Sequence, residues 1–309
     1  HSYKDLYRFK KENVQWLAQH FLQETHETRG GALNNEEKMR IFLRYVGDPG
    51  FQAGVAEDIG VSQGTISLNV WEVAAAIKAK AGNWIQFPTT VEALQNAKME
   101  WRERFSFPDA IGAVDCTHIL IKKPGEHGDE YINRKGVASL NVQATCNAKE
   151  EFTSVDISWP GSVHDSRIWR NSDACGIMTN NHANALLLGD AGYAIAPWLL
   201  TPYQNPTTPQ QRAYNKCITK ERVIIERCFG QLKQRFPILQ NKIRVATDKV
   251  NLVILCFVVL DSVAKHLLVG DYEAPLLQDD DEEDKIALRE QGVCVTRRRD
   301  AIARMIHNV

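Results

Sequence analysis

The chain has no membrane-length apolar run, no paired cysteines and no excess of charge of either sign. Its longest unbroken apolar stretch, LVILCFVVL at 252–260, is nine residues long, well short of the roughly 20 needed to span a bilayer. It reads as a buried helix, and no membrane partner is expected. The seven cysteines (Cys116, Cys146, Cys175, Cys217, Cys228, Cys256, Cys294) contain no C-x-x-C pair. Neither a zinc cage nor a disulfide framework is signalled, which suits the nucleus or cytoplasm. The segment HSYKDLYRFKKENVQWL is too polar for a secretory signal, so export is not expected. The histidines are dispersed, and an α/β hydrolase finds no supporting nucleophile. A net charge of −1 by itself predicts no polyanionic partner.

What is present is enough apolar content, 44% of 309 residues, for one large α/β domain or two smaller ones. Charge is also unevenly spread. From Arg212 to Arg244 there are nine Lys or Arg (Arg212, Lys216, Lys220, Arg222, Arg227, Lys233, Arg235, Lys242, Arg244) against two acids (Glu221, Glu226). This cluster is either a solvated helix face or a surface that meets phosphates.

Met39, Phe42, Leu43 and Val46 have the spacing of an amphipathic helix over 36–47. Further on, Val55, Ala56 and Ile59 form a short apolar face and Gly60 permits a tight turn. Ser62 can cap the next helix, which is striped by Ile66, Val70, Val73 and Ile77. That is helix-turn-helix spacing. Gln63, Thr65, Ser67 and Asn69 would lead the second helix into a DNA groove. However, no Lys or Arg lies between Ser62 and Ile77, and residues 1–105 balance thirteen bases against thirteen acids. A purely structural three-helix unit therefore stays open.

After FSFPDA, strand patterns take over. They cover 111–121, SLNVQATCN and FTSVDISW joined by the turn AKEE, the short ALLLGDAGY at 185–193, and WLLTPY. SVHDSRIWRNS reads as a helix opening near Asp165, and a long helix is expected over 211–235. The order is that of a hairpin-containing sheet with helical crossovers, a mixed α/β arrangement. Three regions are expected: a helical one at 1–105, an α/β domain at 106–268, and a tail at 269–309 with the acidic linker DDDEED (279–284) and TRRRD (296–300).

Two aspartates sit where apolar residues belong. Asp115 lies among Ile111, Val114, Ile119 and Ile121, and Asp190 ends an apolar strand just before Gly192. An ionised carboxylate stripped of water needs a partner. A third acid, Glu226, flanks the stripe Ile218, Ile225, Phe229, Leu232 and Phe236. Together the three form an all-oxygen set suited to Mg²⁺, and a pair of such ions suits phosphodiester cleavage. Singly, each has a local alternative. Asp115 could pair with Lys122, Asp190 could make an Asx turn, and Glu226 could pair with Arg222 or Arg227.

The motifs GAVDCTHI, YINRKGVASLNVQ, WPGSVHDSRIW, LLGDAGY, LLTPY and IERCFGQLKQRFPIL, in this order over roughly 36–262, resemble those of the PIF/Harbinger transposases and the nucleases derived from them. The resemblance implies an RNase H-like core whose DDE triad, Asp115, Asp190 and Glu226, binds Mg²⁺ or Mn²⁺. The 35 residues between Asp190 and Glu226 match the DD35E spacing. It further implies DNA as substrate, a separate Myb-like DNA-binding partner, possible homo-oligomers and a nuclear location. The candidate DNA contacts are Lys216, Lys220, Arg222, Arg227, Lys233 and Arg235, with Gln63, Thr65 and Asn69 from the N-terminal helix. Asp165 competes with Asp190 for the second position, although it is well placed to cap the helix it begins, and His164 is a possible accessory. The chain departs from the family at Asp261 and Ser262, where a His-Asn pair is common. That departure leaves a non-cleaving scaffold as the rival reading.

Overall fold

The apolar stripe at 36–47 forms a helix with Met39, Phe42, Leu43 and Val46 all fully buried. In the computed structural model, residues 3–23, 33–47, 60–270 and 293–307 are described. The N-terminal part contributes α1 (Tyr3–Tyr7), α2 (Lys11–Phe21), α3 (Asn35–Gly47) and α4 (Gln63–Ala79). Gly60 takes the turn before α4 at φ 77°, a left-handed conformation that glycine adopts without strain. Ser62 caps α4 by accepting a hydrogen bond from Thr65 N at 3.1 Å. The stretch Gly60-Val-Ser-Gln-Gly64 has the G-x-S-x-G spacing of a hydrolase nucleophile, but its serine hydroxyl is engaged in this cap. Ile66, Val70, Val73 and Ile77 are buried where α4 meets α3. Val55, Ala56 and Ile59, the first half of the expected helix-turn-helix, lie outside the described residues.

α5 (Val91–Arg104) leads into the sheet formed by β1 (Ala110–Leu120), β2 (Ser139–Cys146), β3 (Phe152–Pro160), β4 (Leu186–Leu188) and β5 (Leu199–Leu200). The strand order is β3-β2-β1-β4-β5, with β1, β2 and β3 antiparallel and β4 and β5 running parallel to β1. The tight turn after Cys146 permits the antiparallel pair. The parallel β4 needs a crossover, which α6 (Asp165–Asn171) and α7 (Asp173–Asn180) provide. The result is a five-stranded mixed sheet flanked by helices, consistent with a DDE nuclease fold. The expected strand at 185–193 shrinks to three residues because the backbone turns at Asp190, whose carboxylate accepts from Gly192 N.

α8 (Pro209–Arg235) begins with a full capping box between Thr208 and Gln211 and with proline at its first position, both strong start signals. Its predicted stripe, Ile218, Ile225, Phe229 and Leu232, is buried, and Phe236 follows it into the core. LVILCFVVL lies inside α9 (Thr247–His266), which packs on α4, α8 and β3. Among the described residues, no helix is long and apolar enough to cross a membrane. The acidic run at 279–284 lies outside the described residues. TRRRD belongs to α10 (Val293–His307), which packs along α8. The Arg299 guanidinium lies 3.9 Å from the Tyr203 ring centre, and Asp300 accepts the Tyr203 hydroxyl at 2.5 Å.

Between α8 and α9, Arg235 Nε donates to Asp261 Oδ1 at 2.9 Å, both side chains being 0% exposed, and Lys265 adds a second cation at 3.3 Å. Ser262 bonds within its own helix, to Val258 O. Asp261, the departure from the family pattern, is thus the counter-ion of a buried arginine. Removing one partner of such a pair strands the other charge, which typically costs about 3–5 kcal/mol, whereas replacing both with apolar groups costs far less. Urea unfolding should show Asp261→Ala destabilised by about that amount and the double substitution Arg235→Met, Asp261→Leu destabilised less than the single one.

Candidate active site

Asp115 and Asp190 are brought together by strand register. Ala113 on β1 pairs with Leu188 on the parallel β4. Two residues beyond each lie Asp115, still on β1, and Asp190, just past the end of β4 and close enough for its charge to act on Asp115. Asp190 Oδ1 accepts from Gly192 N at 2.9 Å, closing the Asx-type turn. A Cβ at position 192 would stand only 3.1 Å from that oxygen, so glycine lets the chain fold over the carboxylate.

α8 covers the same face. Residues four apart on a helix are neighbours, and Arg222 and Glu226 meet at 2.7 Å (Nη2 to Oε1). The other arm of Arg222, Nη1, donates to Asp115 Oδ2 at 2.6 Å. Asp115 Oδ1 accepts from Cys116 N at 2.8 Å. The partner the sequence demanded for Asp115 is therefore Arg222 rather than Lys122. Seven residues past Glu226, on the same stripe, Lys233 Nζ donates to Thr117 Oγ1 at 2.7 Å and to His118 O at 3.3 Å.

Asp165 approaches from the other side of the sheet. It is the first residue of α6 and not its cap, because His164 holds the N-cap position and makes no side-chain capping bond. Asp165 Oδ1 instead accepts from Asn141 Nδ2 at 2.8 Å. His164 Nδ1 meets Arg134 Nη2 at 2.8 Å on the surface. On the face that Asp165 approaches, Tyr193 Oη lies 3.3 Å from both Cys116 Sγ and Gln143 Nε2. Asn141 and Gln143, both buried, were not picked out from the sequence. Their signal was the polar alternation Asn141, Gln143, Thr145 in a strand with no exposed face.

Burial pushes the Asp115 carboxyl well above the usual range. Arg222 pulls it back, and the carboxylates of Asp190 and Asp165 push it further up. Burial, Asp165 and Asp115 likewise raise the Cys116 thiol, against hydrogen bonds from Tyr193 and Gln143 that lower it. Burial alone brings Lys233 down to about 8.

The basic cluster does not form one phosphate-facing surface. Arg235 is fully buried against Asp261, Arg222 is buried against Asp115 and Glu226, and Arg227 is bound to Glu150 at 2.8 Å. Lys233 points into the sheet. Lys216 and Lys220 are exposed on α8. The charge count ignored the helical period, which turns these side chains to different sides. Among the candidates on α4, Asn69 is buried and donates to Lys38 O at 2.8 Å, so it faces α3 rather than a groove. Thr65 is tied to Ser62, and Gln63 is exposed.

The acids offer only carboxylate oxygens, the donors that Mg²⁺ and Mn²⁺ prefer. Asp115 stays raised although Arg222 touches it, so burial and the neighbouring aspartates outweigh one guanidinium. By the chemistry of that donor set, Asp115 and Asp190 fit a hard divalent ion. Glu226 does not join them in this arrangement. Its Oε1 is held by Arg222, and among the described residues no three His, Cys, Asp or Glu form a ready metal cage.

Because the folded state lowers the pKa of Lys233, the unfolded chain binds that proton more tightly and stability rises with pH between about 8 and the unfolded-chain value. Lys233→Met removes this penalty. Relative to wild type, the variant should be most favoured near pH 7 and should lose a few kcal/mol of that relative gain by roughly pH 11, as read by urea unfolding across the range.

A family model described as DDE superfamily endonuclease matches residues 114–261. "Putative nuclease HARBI1" of Rattus norvegicus is 32% identical over 240 residues, covering 76% of this chain and 69% of that protein. The Homo sapiens protein of the same name is 29% identical over 252 residues, covering 80% and 72%. "Protein ALP1-like" of Arabidopsis thaliana is 24% identical over 270 residues, covering 82% and 65%. No solved structure matches the chain. DDE superfamily endonucleases generally use divalent metals. The matched segment runs from the residue before Asp115 to Asp261 and so contains Asp115, Asp165, Asp190 and Glu226. The chain belongs to the Harbinger transposase-derived nuclease family of DDE superfamily endonucleases.

Proposed function

We propose that the chain is a DNA endonuclease and strand transferase of the DDE type, with an RNase H-like core and Asp115, Asp190 and Glu226 as its acids. The observation that supports this reading is the parallel pairing of β1 with β4, in which Ala113 and Leu188 are partners two residues before Asp115 and Asp190. In the reaction, water attacks the phosphorus and the bond to O3′ breaks, leaving a 5′-phosphate and a 3′-hydroxyl. That hydroxyl then attacks a target phosphodiester in the same way. Mg²⁺ or Mn²⁺ held by Asp115 and Asp190, with Glu226 as third ligand, would supply activation of the attacking water and stabilisation of the departing oxygen.

The chain's own residues hold and orient. Asp115 is fixed by Cys116 N and Asp190 by Gly192 N, so each carboxylate keeps one aim. Lys216 and Lys220, exposed one turn apart, would meet backbone phosphates in this reading. α4 carries no basic side chain before Lys78, and a Myb-like DNA-binding partner would compensate for that lack. Nuclear location and assembly into homo-oligomers belong to the same proposal.

A second reading, a non-cleaving DNA-bound scaffold or complex subunit, is favoured by one contact. Arg222 already occupies both Asp115 and Glu226. Incubating Harbinger-type DNA ends with the chain, a Myb-like partner and Mg²⁺ or Mn²⁺ separates the two readings. Metal-dependent product above an Asp190→Ala control supports cleavage, and its absence supports the scaffold.

Asp115→Asn gives a second check. A carboxyl raised in the folded state contributes stability that is fully present below its unfolded pKa and is lost as pH rises through the folded value. At neutral pH, asparagine should therefore leave the melting temperature unchanged or higher while abolishing cleavage. A variant that still cuts would remove Asp115 from the chemistry.

A further inference from the structure

We propose that Arg222 is a displaceable counter-cation: it occupies Asp115 and Glu226 until a divalent ion takes them, and the freed guanidinium then turns to a phosphate of the DNA. The inference rests on the metal-dependent reading above and adds the order in which the site's charges are exchanged.

Two observations lead there. The guanidinium bridges one acid from β1 and one from α8, at 2.6 and 2.7 Å. Those two acids belong to the set whose chemistry suits a metal, so a single cation stands for the ion in linking strand to helix. The bridge is also incompletely buried. The side chains of Arg222, Asp115 and Glu226 keep 10%, 13% and 13% exposure, whereas the Arg235–Asp261 pair on the same helix keeps none. A guanidinium at the edge of solvent can rotate out on its flexible stem, and a sealed one cannot.

Released from the acids, the guanidinium would carry a partly desolvated positive charge, and phosphate is the ligand its planar fork matches best. A DNA backbone running past α8 provides one. Metal and DNA should therefore assist each other's binding, because each gives one half of the broken ion pairs a new partner. The acids receive the metal and the arginine receives the phosphate.

The test uses the full chain with Mn²⁺, read by the paramagnetic resonance signal of the free ion, with and without a short DNA duplex. Without DNA, Arg222→Gln should bind Mn²⁺ about tenfold or more tighter than wild type, the size of effect that residues just behind metal ligands usually have. Arg222→Lys, which can reach only one acid at a time, should fall between them. DNA should tighten Mn²⁺ binding to wild type and leave Arg222→Gln unchanged. The proposal is overturned if Arg222→Gln binds Mn²⁺ no better than wild type. If both bind equally and Asp115→Asn abolishes binding, the metal reading stands and the exchange fails. If no form binds Mn²⁺ with or without DNA, both fail. Should Arg222→Gln not fold, the lysine variant decides, with affinity at or below wild type counting against the exchange.

Discussion

Arg222 ties the long helix to the central strand, and the rest of the site is arranged around that contact. One arm crosses to Asp115 on β1 while the other holds Glu226 on its own helix, so this turn of the helix is directed at Asp115. With that turn so directed, the stripe of Ile218, Ile225, Phe229 and Leu232 enters the core and Lys233 arrives over Thr117. Further along the helix, Arg235 reaches Asp261 on α9. Charges placed at helical spacing thereby set the register between layers that hydrophobic burial, being non-directional, would leave loose.

Much of the fold was legible because it follows local rules. Stripes at helical spacing became α3, α4 and α8, and the serine before α4 caps it. The meander of β1, β2 and β3 sits within a residue of its expected bounds. The central anomaly was legible too, since an aspartate among Ile111, Val114 and Ile119 called for a compensating charge. Its compensator was not legible. Asp115 and Arg222 are 107 positions apart, and nothing local distinguishes Arg222 from Arg227 or Lys233 as the one that crosses to β1.

The basic run from Arg212 to Arg244 shows the same limit from the other side. Counting charges treats a helix as a line, yet the helical period sends Arg222 toward Asp115, Arg227 toward Glu150 and Arg235 toward Asp261. The acids that neutralise them come from β1, from the hairpin turn and from α9. Part of the apparent phosphate-binding surface is internal wiring, and the exposed remainder is split between Arg212, Lys216 and Lys220 in the first half of α8 and Lys242 and Arg244 beyond its end. Asn69 repeats the lesson on α4, where a polar residue on an apolar helix satisfies a neighbouring helix's carbonyl rather than waiting for a base edge.

The two arginine–aspartate pairs of α8 differ in one property, and that property divides their roles. Arg235 and Asp261 are sealed, with a lysine as third member, so opening them would leave charges with no water to replace the lost contacts. Such a pair specifies packing and stays shut. Arg222 and its two acids are buried too but keep 10–13% side-chain exposure, and this is the opening the proposed exchange would use. The same chemistry thus serves as a rivet at one end of the helix and, in that proposal, as an exchangeable contact near its middle. The family departure at Asp261 belongs to the rivet, whereas in the Arg222 contact both acids lie within the motifs that resemble the family's and Arg222 itself stands three residues before the last of them.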